Sequence, residues 1–493
     1  MVKAVVGEEA QLKLTEDRLS SSSIPAQVGL VIGKLSSSLD RGFVFSLIAT
    51  PPNDEGRPAC SLVEPVKDDK RKGAKQSKSQ ASSDSSSLVI DKDWVAEHAR
   101  QVSKMLVGGV RVIGIFVWAS ESAFKNSTIE FCQTIKGVAG AAQPLSGTDT
   151  EERLLIHISY SPRRWICRNC VLASNITSSS LKPCDFKMGR VLNSLRKFKC
   201  TYNFNMRLPV RRESASDVQK LGDVLHSGIS VMAKELRSAR AVVDGNLVTN
   251  DATSMSEGFH DVELLLPFMN DTYLEASSLE NVIGVLLFSG SVCSFAFLSS
   301  KESILQAIAD IKADIITSLR SRLDIILDEA DADLRPLDNE CRESGPDIQM
   351  ENLISQVDLQ SLRKPSGLLF PRRVFAPWLA GMFICDYLQP SETLEVLKDH
   401  CAELMSMEVL TDSSDILEPE GEAPSVVAKC FWDVASPSRS DSKSLSEKVG
   451  ADPKSEESNE KSNKQSNLST VAAILVLLLS VLLGYLFLSV RAS

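Results

Sequence analysis

The sequence lacks the short motifs that identify the common enzyme classes. It contains no His-x-His pair, no HExxH, no Gly-x-Ser-x-Gly, no P-loop and no Rossmann glycine fingerprint. Histidine itself is scarce, with five in 493 residues, and no two lie close enough along the chain to suggest a shared metal motif. These absences predict a protein that is not an enzyme and that carries no cofactor.

Cysteine is too sparse for a disulfide scaffold, since the eleven residues are scattered without a repeating framework. The odd count and low density fit a reducing compartment. The most metal-like pattern is Cys167-Arg-Asn-Cys170, with Cys184 and Cys200 downstream. A structural zinc site normally uses a second close pair, and none follows. Ordinary free thiols are therefore favoured at Cys167 and Cys170 over zinc or a redox pair, and no metal is expected.

Two weaker arrangements of reactive side chains are present. His260 and Asp261 could act as a base and its orienting group, but no candidate nucleophile stands in a recognisable turn. Cys385, Asp386 and His400 can be drawn as a thiol triad, although the sequence does not place these side chains together. We expect structural roles for all of them, and a divergent cysteine- or zinc-dependent hydrolase stays an alternative.

The chain also lacks an excess of positive charge, since 54 basic residues stand against 64 acidic residues and the net charge is -10. This balance argues against nucleic acid as a partner, because binding to phosphates requires a basic face. A local basic run from Lys67 to Lys78 is typical of a solvated surface insertion. A nuclear signal or a contact with anionic lipid are the alternatives for that run.

One long hydrophobic run is present, at Val471–Val490 (VAAILVLLLSVLLGYLFLSV). Twenty residues without a charge form a helix of about 30 Å, which matches the hydrocarbon thickness of a bilayer. The sequence therefore predicts a transmembrane helix that anchors the chain. Because the N-terminus has no apolar run typical of a signal peptide, the bulk of the chain is expected in the cytosol. The residues assigned to the anchor are Val471, Leu477, Leu483, Phe487 and Val490.

Hydrophobic periodicity elsewhere predicts an α/β fold with a mixed sheet. Strand-like runs are predicted at 28–35, 43–50, 110–118, 154–160, 197–204, 262–266 and 282–297, the last interrupted by Gly290. Amphipathic helices are predicted at 91–106, 215–237 and 301–330. The third helix carries isoleucine or leucine every three or four residues, and packing on its own sheet is favoured over a coiled coil.

Composition divides the chain into consecutive parts. They are a globular domain over 1–330 with an insertion at 51–87 that is too polar to fold, a linker over 331–366, a helical segment over 367–410 that packs on or near the domain, an acidic and Ser-rich disordered tether over 411–470, and the transmembrane helix over 471–490.

Several stretches together resemble the odorant response abnormal protein 4 family (ODR-4-like proteins). They are VGLVIGKLSSSLDRGFVFSLIATPP, DWVAEHARQVSKMLVGGVRVIGIFV, ISYSPRRWICR, GFHDVELLLPF and PRRVFAPWLAGMFICDYLQPSETLEVLKDHCAELM. Together with the C-terminal hydrophobic run, these blocks cover most of the chain outside the polar loops. None of them is a catalytic motif.

The resemblance implies a tail-anchored protein of the endoplasmic-reticulum membrane that assists the localisation or trafficking of other membrane proteins. It also implies an adaptor that recruits the ubiquitin-fold-modifier-specific protease, with membrane receptors as cargo. A direct folding and trafficking chaperone for membrane receptors is the alternative. The globular part would be similar to MPN-type α/β domains, whose active members hold zinc with a His-x-His, an Asp and a Glu. Because this sequence lacks that pattern, the domain is expected to be a catalytically inactive MPN-like module.

The segment over residues 372–378 is the candidate partner-binding surface. Arg372, Arg373, Phe375 and Trp378 combine arginine with aromatic side chains, a composition enriched at binding hot spots. We expect these four side chains to be exposed. The alternative is that the PRRVFAPW segment only packs onto the domain.

Overall fold

The structure, a computed structural model, describes residues 2–36, 39–63, 86–142, 152–172, 177–211, 221–249, 258–267, 282–333, 366–407, 415–420 and 423–430. Contacts divide the chain into two units, Met1–Pro437 and Ser438–Ser493, and all described residues belong to the first. Among the residues described, no helix is long and apolar enough to cross a bilayer. The hydrophobic run at 471–490 lies outside them, so the anchor stays a prediction.

The first half of the chain is built on a closed β-barrel. Its elements in chain order are β1 (Ala4–Glu8), α1 (Glu9–Ser21), β2 (Gln27–Ser36), β3 (Arg41–Ala49), β4 (Cys60–Val63), β5 (Ser87–Ile90), α2 (Lys92–Met105), β6 (Arg111–Trp118), α3 (Glu121–Asn126), α4 (Thr128–Ala141), β7 (Glu152–Tyr160), β8 (Arg163–Val171) and β9 (Leu181–Gly189). The barrel order is β1-β3-β2-β6-β7-β8-β9, and β9 pairs back onto β1 in parallel. The strands β4 and β5 form a separate hairpin.

The barrel strands β2, β6 and β7 are buried on both faces, because each face meets other packed elements. In β6, Ile113 and Phe116 belong to one core cluster, which also takes in α1. On the opposite face, Ile115 and Val117 belong to a larger cluster with α2 and α4. A continuous apolar run is the pattern of a strand buried on both sides, which confirms the strand predicted at 110–118.

The second half is built on a seven-stranded sheet. Its elements in chain order are β10 (Leu195–Arg211), α5 (Leu221–Ser238), β11 (Arg240–Val243), β12 (Asn246–Leu247), β13 (Phe259–Leu265), β14 (Val282–Ser299), α6 (Ile304–Asp333), β15 (Ser366–Leu369), β16 (Arg372–Pro377), β17 (Phe383–Leu388), α7 (Leu394–Met405) and β18 (Ser425–Cys430). The sheet order is β12-β11-β13-β10-β14-β18-β15, and β16 pairs with β17 in a separate hairpin. Helix and strand content together confirm the α/β class.

The long helix α6 packs on this sheet with α5, as the spacing of its isoleucines predicts. Ile308, Ile311, Ile315 and Leu319 are buried in one cluster with the sheet residues of β10 and β14. The opposite face of β14 is apolar at one end, where Phe295 joins the larger cluster that contains residues of α2, α4 and β6. This cluster is called the barrel-side core cluster below. Strand β14 therefore contributes to two of the core clusters of the folded unit.

Two predictions within the strand regions are wrong in part. The sequence predicts a loop throughout the insertion at 51–87, but residues 60–63 form β4 and pair with β5. The interruption at Gly290 does not occur, since β14 runs continuously and Gly290 pairs with Phe204 of β10. Both errors have one cause: cross-strand pairing with a distant segment overrides local composition.

The boundaries predicted after residue 366 are also wrong in part. The sequence predicts a helical segment over 367–410, yet β15, β16 and β17 precede the helix α7. The sequence predicts that the tether begins at residue 411, yet β18 lies at 425–430 and fills the position between β14 and β15. The strands β15 and β18 complete a sheet whose other members lie far upstream, so local composition does not reveal them.

Candidate functional site

Two of the four predicted hot-spot side chains are buried rather than exposed. Arg373 keeps 2% of its accessible surface and Phe375 keeps none. Both lie on β16, where the Phe375 ring meets the Phe295 ring of β14 edge-on, with centroids 4.9 Å apart. The expectation of an exposed surface is wrong for these two residues, because folded structure covers the middle of β16.

The other two side chains, Arg372 and Trp378, are half-buried at the ends of the same segment. Arg372 Nη2 donates to the Glu392 carbonyl oxygen at 3.0 Å. Trp378 packs against the barrel-side core cluster. The four residues therefore do not form one exposed patch, and their burial fits the alternative that this segment packs onto the folded unit.

The Arg373 guanidinium lies at the centre of a buried charge network. Its Nη1 and Nη2 donate to the two Asp314 carboxylate oxygens at 2.8 Å each, and Nη1 also donates to the Cys293 carbonyl oxygen at 2.9 Å. Burial alone would lower the pKa of Arg373, but the Asp314 carboxylate, helped by Cys385 and Tyr387, raises it above its ordinary value. A guanidinium buried this deeply has to stay charged and paired.

Glu420 is the second anion of this network. Its Oε1 accepts from Arg322 Nη2 at 2.6 Å and from the Cys293 backbone N–H at 3.1 Å, and its Oε2 accepts from the Arg373 backbone N–H at 3.3 Å. Both guanidiniums lie over the Tyr387 ring, at 5.5 and 5.7 Å from its centroid. The network thus holds α6, β14, β16 and β17 together with the segment that precedes β18.

A cleft of about 480 Å³ lies beside the network, between α2 and α6. The last turns of α2 contribute Arg100 and Lys104, and α6 contributes Thr317, Asp324 and Asp328. One wall is therefore basic and the other acidic. The floor is the loop that joins α2 to β6.

Lys104 and Asp324, on opposite walls of the cleft, have shifted pKa values. Burial lowers the pKa of Lys104, and Arg100 lowers it further, while Asp324 and Asp328 oppose the shift. Burial also raises the pKa of Asp324. Ionisable groups perturbed in this way within a cleft are typical of functional sites. The two walls can form ion pairs with charged groups of a partner, and this makes the cleft the candidate functional site.

Two adjacent glycines form the floor of the cleft. Gly108 and Gly109 have φ values of +71° and +77°, in the left-handed region that favours glycine. The Gly108 carbonyl oxygen accepts from the Phe297 N–H at 3.1 Å. A Cβ atom at Gly109 would lie 2.3 Å from Oδ2 of Asp310, which Lys34 Nζ contacts at 2.6 Å. The loop therefore sits tightly between the barrel and α6.

The thiol triad drawn from the sequence does not assemble. His400 Nδ1 and Asp386 Oδ2 are 2.8 Å apart. Cys385 is the neighbour of Asp386 on β17 and points to the opposite face of the strand. Its Sγ lies 3.4 Å from both Arg373 Nη2 and the Lys104 carbonyl oxygen, and burial raises the pKa of this thiol to about 11. Cys385 is thus a buried packing residue, placed away from His400.

The two remaining candidate pairs, Cys167 with Cys170 and His260 with Asp261, do not form in the structure. Cys167 and Cys170 lie on opposite faces of β8, each in a different core cluster, so they do not form the pair that zinc requires. His260 Nδ1 contacts Asp244 Oδ2 at 2.7 Å, and so its carboxylate partner is Asp244 rather than Asp261. Among the described residues, no group of three or more His, Cys, Asp or Glu side chains is placed to hold a metal ion.

Sequence reasoning missed both anions of the buried network. Asp314 lies on the polar side of a helix whose other side is apolar, where a solvated carboxylate is the usual expectation. Glu420 lies in the segment assigned to the tether. The available signal was the Arg372–Arg373 pair inside an otherwise apolar run, since a buried arginine requires a carboxylate partner.

Most of the chain matches one protein family and several of its known members in sequence. The family model "ODR4-like: Odorant response abnormal 4-like" matches residues 29–416, which include both walls of the cleft. "Protein odr-4 homolog" of Mus musculus is 25% identical over 416 residues, covering 80% of this chain and 81% of that protein. The protein of the same name in Homo sapiens is 23% identical over 418 residues, with 80% and 81% covered. The one in Dictyostelium discoideum is 25% identical over 403 residues, with 79% and 77% covered.

Among solved structures, a crystal structure of UfSP from C. elegans aligns with a TM-score of 0.34 at 9% sequence identity. The alignment covers 84% of this chain and 59% of that one. A likeness at this level carries no argument about fold or function.

Proposed function

Because the chain belongs to the ODR4-like family, we propose that it is a non-enzymatic, tail-anchored adaptor of the endoplasmic-reticulum membrane. In this proposal it takes part in the localisation and trafficking of other membrane proteins. It recruits the ubiquitin-fold-modifier-specific protease, and membrane receptors are its cargo. The folded unit serves as a catalytically inactive MPN-like binding module, and the bilayer is its second partner.

The proposal rests on one combination: a folded unit with a charged cleft, followed by an uncharged run of twenty residues at 471–490. From the end of β18 to that run the sequence has 40 residues, numbers 431 to 470, and they are polar and Ser-rich. In the proposal these residues form a flexible tether, and a flexible chain of that length has an end-to-end distance of roughly 35 Å. The folded unit would thus stay close to the bilayer, where recruitment raises the effective concentration of a partner to about the millimolar range.

The cleft is the proposed surface for the protease. Arg100 and Lys104 on one wall and Asp324 and Asp328 on the other would pair with complementary charges of the partner. Such pairs contribute more to the association rate and to specificity than to raw affinity. Binding through the cleft should therefore weaken as salt is added.

The test compares the full-length protein with a truncation that lacks the last 25 residues. The full-length protein should resist extraction from microsomes by alkaline carbonate, and the truncation should be released. Capture of the protease should survive the truncation and should be reduced by Asp328→Lys in the cleft. The matched control is Asp17→Lys, which changes an exposed residue of α1 in the same way.

Three outcomes would contradict the proposal. Full-length protein in the soluble fraction after cell breakage would remove the anchor. Loss of receptor cargo on truncation, without any capture of the protease by either form, would favour a direct trafficking chaperone. Stoichiometric zinc in the purified protein, together with hydrolysis of a modifier conjugate, would favour a hydrolase.

A further inference from the structure

A pair of cysteines lies face to face on adjacent strands of the barrel. In the antiparallel ladder of β8 and β9, Cys167 is the direct partner of Cys184. Directly opposed residues in such a ladder have Cα atoms about 4.5 or 5.5 Å apart, depending on the hydrogen-bonding position. Both separations fall within the range of about 4.4–6.8 Å that a disulfide spans. The backbone therefore already holds the two residues at bonding distance, and both thiols are free.

The pair marks the point where β9 leaves one neighbour and joins another. The β8–β9 ladder extends from Cys170 and Leu181 to Cys167 and Cys184 and ends there. From Asp185 onwards β9 pairs with β1 instead. Cys184 Sγ lies 3.9 Å from the Val2 carbonyl oxygen, just before β1. A bond between the two cysteines would thus tie the strands at the seam that closes the barrel.

The two thiols differ in accessibility and in acidity. Cys167 is buried with 3% of its surface exposed, whereas Cys184 is half-exposed. A hydrogen bond from Cys167 lowers the pKa of Cys184, although burial and nearby carboxylates oppose the shift. The same hydrogen bond, followed by burial, raises the pKa of Cys167. By contrast, burial raises the pKa of Cys60 and Cys200 to about 12. Cys184 therefore has the character of an attacking thiol, and Cys167 that of the thiol that resolves the intermediate.

We propose that Cys167 and Cys184 form a reversible redox site that is oxidised by small-molecule disulfides of the glutathione type. The Cys184 thiolate attacks one sulfur of the oxidant, which forms a mixed disulfide and releases one glutathione thiolate. The Cys167 thiol, on losing its proton, then attacks the Cys184 sulfur and releases the second glutathione. Two cysteine thiols are oxidised, one small disulfide is reduced to two thiols, and the two protons lost by the cysteines end, through solvent, on the released glutathione thiolates.

This site stands apart from the cleft and does not depend on the proposed adaptor function. In a reducing cytosol the dithiol form is expected to prevail, as is usual for regulatory pairs. Oxidation would fasten the β8–β9 ladder at its open end, next to the stacked rings of Trp165 and Phe186, which are 5.6 Å apart. Oxidation of the two cysteines would therefore change how firmly the barrel is closed at β9.

The test uses the full-length protein in detergent micelles, equilibrated with glutathione buffers of increasing oxidised fraction. Remaining thiols are alkylated and the protein is mapped by mass spectrometry without reduction. We expect a linked peptide pair containing Cys167 and Cys184, which reverts in excess reduced glutathione. Cys170→Ser, a neighbour on the opposite face of β8, should leave the link unchanged. Cys167→Ser should instead accumulate the mixed disulfide at Cys184.

Three results in the wild-type protein would overturn the proposal. They are Cys184 fully alkylated in the most oxidised buffer, a stable mixed disulfide at Cys184 without the link, and a link from either cysteine to a different partner. Because the wild-type map alone decides between these results and the expected one, poor folding of a variant would leave the answer intact.

Discussion

Asp314 of α6 and Arg373 of β16 form a bidentate ion pair in the interior, with both N–O distances at 2.8 Å. Their side chains keep 8% and 1% of their accessible surface. The two residues lie 59 positions apart in the sequence. The pair therefore couples the helix that covers the seven-stranded sheet to the hairpin that packs against the barrel-side core.

Removal of one partner of this pair should strongly destabilise the protein. Asp314→Ala leaves a buried guanidinium without its carboxylate, and such a change costs about 3–5 kcal/mol in the free energy of unfolding. The matched control is Glu395→Ala, which removes an exposed carboxylate from its pair with the half-buried Lys398 and should have little effect. Urea unfolding of the full-length variants in detergent measures both. Equal urea midpoints for the two variants would contradict the proposed contribution of the buried pair to stability.

Two glutamates two positions apart should behave very differently. Glu420→Ala leaves Arg322 and two backbone N–H groups without their acceptor, whereas Glu418 lies at the surface, 3.8 Å from Arg372. We expect Glu420→Ala to cost about 3–5 kcal/mol, which corresponds to more than roughly a hundredfold faster amide exchange. Hydrogen exchange measured at β15 and β18 should show this increase. Glu418→Ala should leave exchange close to that of the wild type, and a similar increase in both variants would count against the network.

Glycine at position 109 should be irreplaceable, while glycine at position 140 should not. Gly109→Ala requires an alanine at a φ of +77° and places its Cβ against the Asp310 carboxylate, so we expect a loss of more than about 1 kcal/mol. Gly140 lies within α4, and no atom would lie within 4 Å of its added Cβ. Gly140→Ala should stabilise the helix by about 0.5–1 kcal/mol. The sign of the change in thermal midpoint separates the two cases, and a stabilising Gly109→Ala would show that the loop is not constrained as described.

Stability should fall as the pH drops, because two histidines are buried in the neutral form. Burial lowers the pKa of His98 and of His157 below the ordinary value of 6.5. The unfolded chain therefore binds protons more readily at these positions, and folding free energy is lost as the pH falls through that value towards the folded pKa values. His98 Nε2 contacts the Leu404 carbonyl oxygen at 2.9 Å, and the ring also contacts Thr50. Urea midpoints measured from about pH 8 to about pH 5 should decline.

His400 should act in the opposite direction over the same range. The hydrogen bond with Asp386 raises the pKa of His400. Its contribution to stability is therefore present below pH 6.5, the ordinary value, and is lost as the pH rises through the folded pKa. His400→Gln should steepen the acid-side decline and change little at alkaline pH. A variant that loses stability equally at all pH values would show that His400 contributes through packing alone.

Local patterns predicted the elements that depend on their own sequence. The isoleucine spacing of α6 and the unbroken apolar run of β6 are examples, since each reflects the environment of a single segment. Closure of the barrel was not predictable in this way, because β1 pairs with a strand about 180 positions downstream, with Ala4 opposite Asp185. Nothing in either strand alone specifies that partner.

The prediction that residues 372–378 form an exposed surface is wrong for a related reason. Arginine beside aromatic residues is the composition of a binding hot spot, and it is equally the composition of a buried ion pair within a strand. The contacts that decide between them come from Asp314 and Glu420, which are 59 and 47 positions away from Arg373. The cleft was missed as well, because its two walls come from α2 and α6, which are far apart in the sequence.

The position of β18 has a consequence for synthesis of the protein. The strand lies between β14 and β15 rather than at the edge of the sheet, so the sheet stays incomplete until the ribosome has translated residue 430. Translation of residues 431 to 470 then takes about 2–8 s at typical rates of about 5–20 residues per second. Completion of the sheet and synthesis of the hydrophobic run are thereby separated by only a few seconds. If placement of β18 were delayed, the incomplete sheet and the hydrophobic run would be accessible to chaperones at the same time.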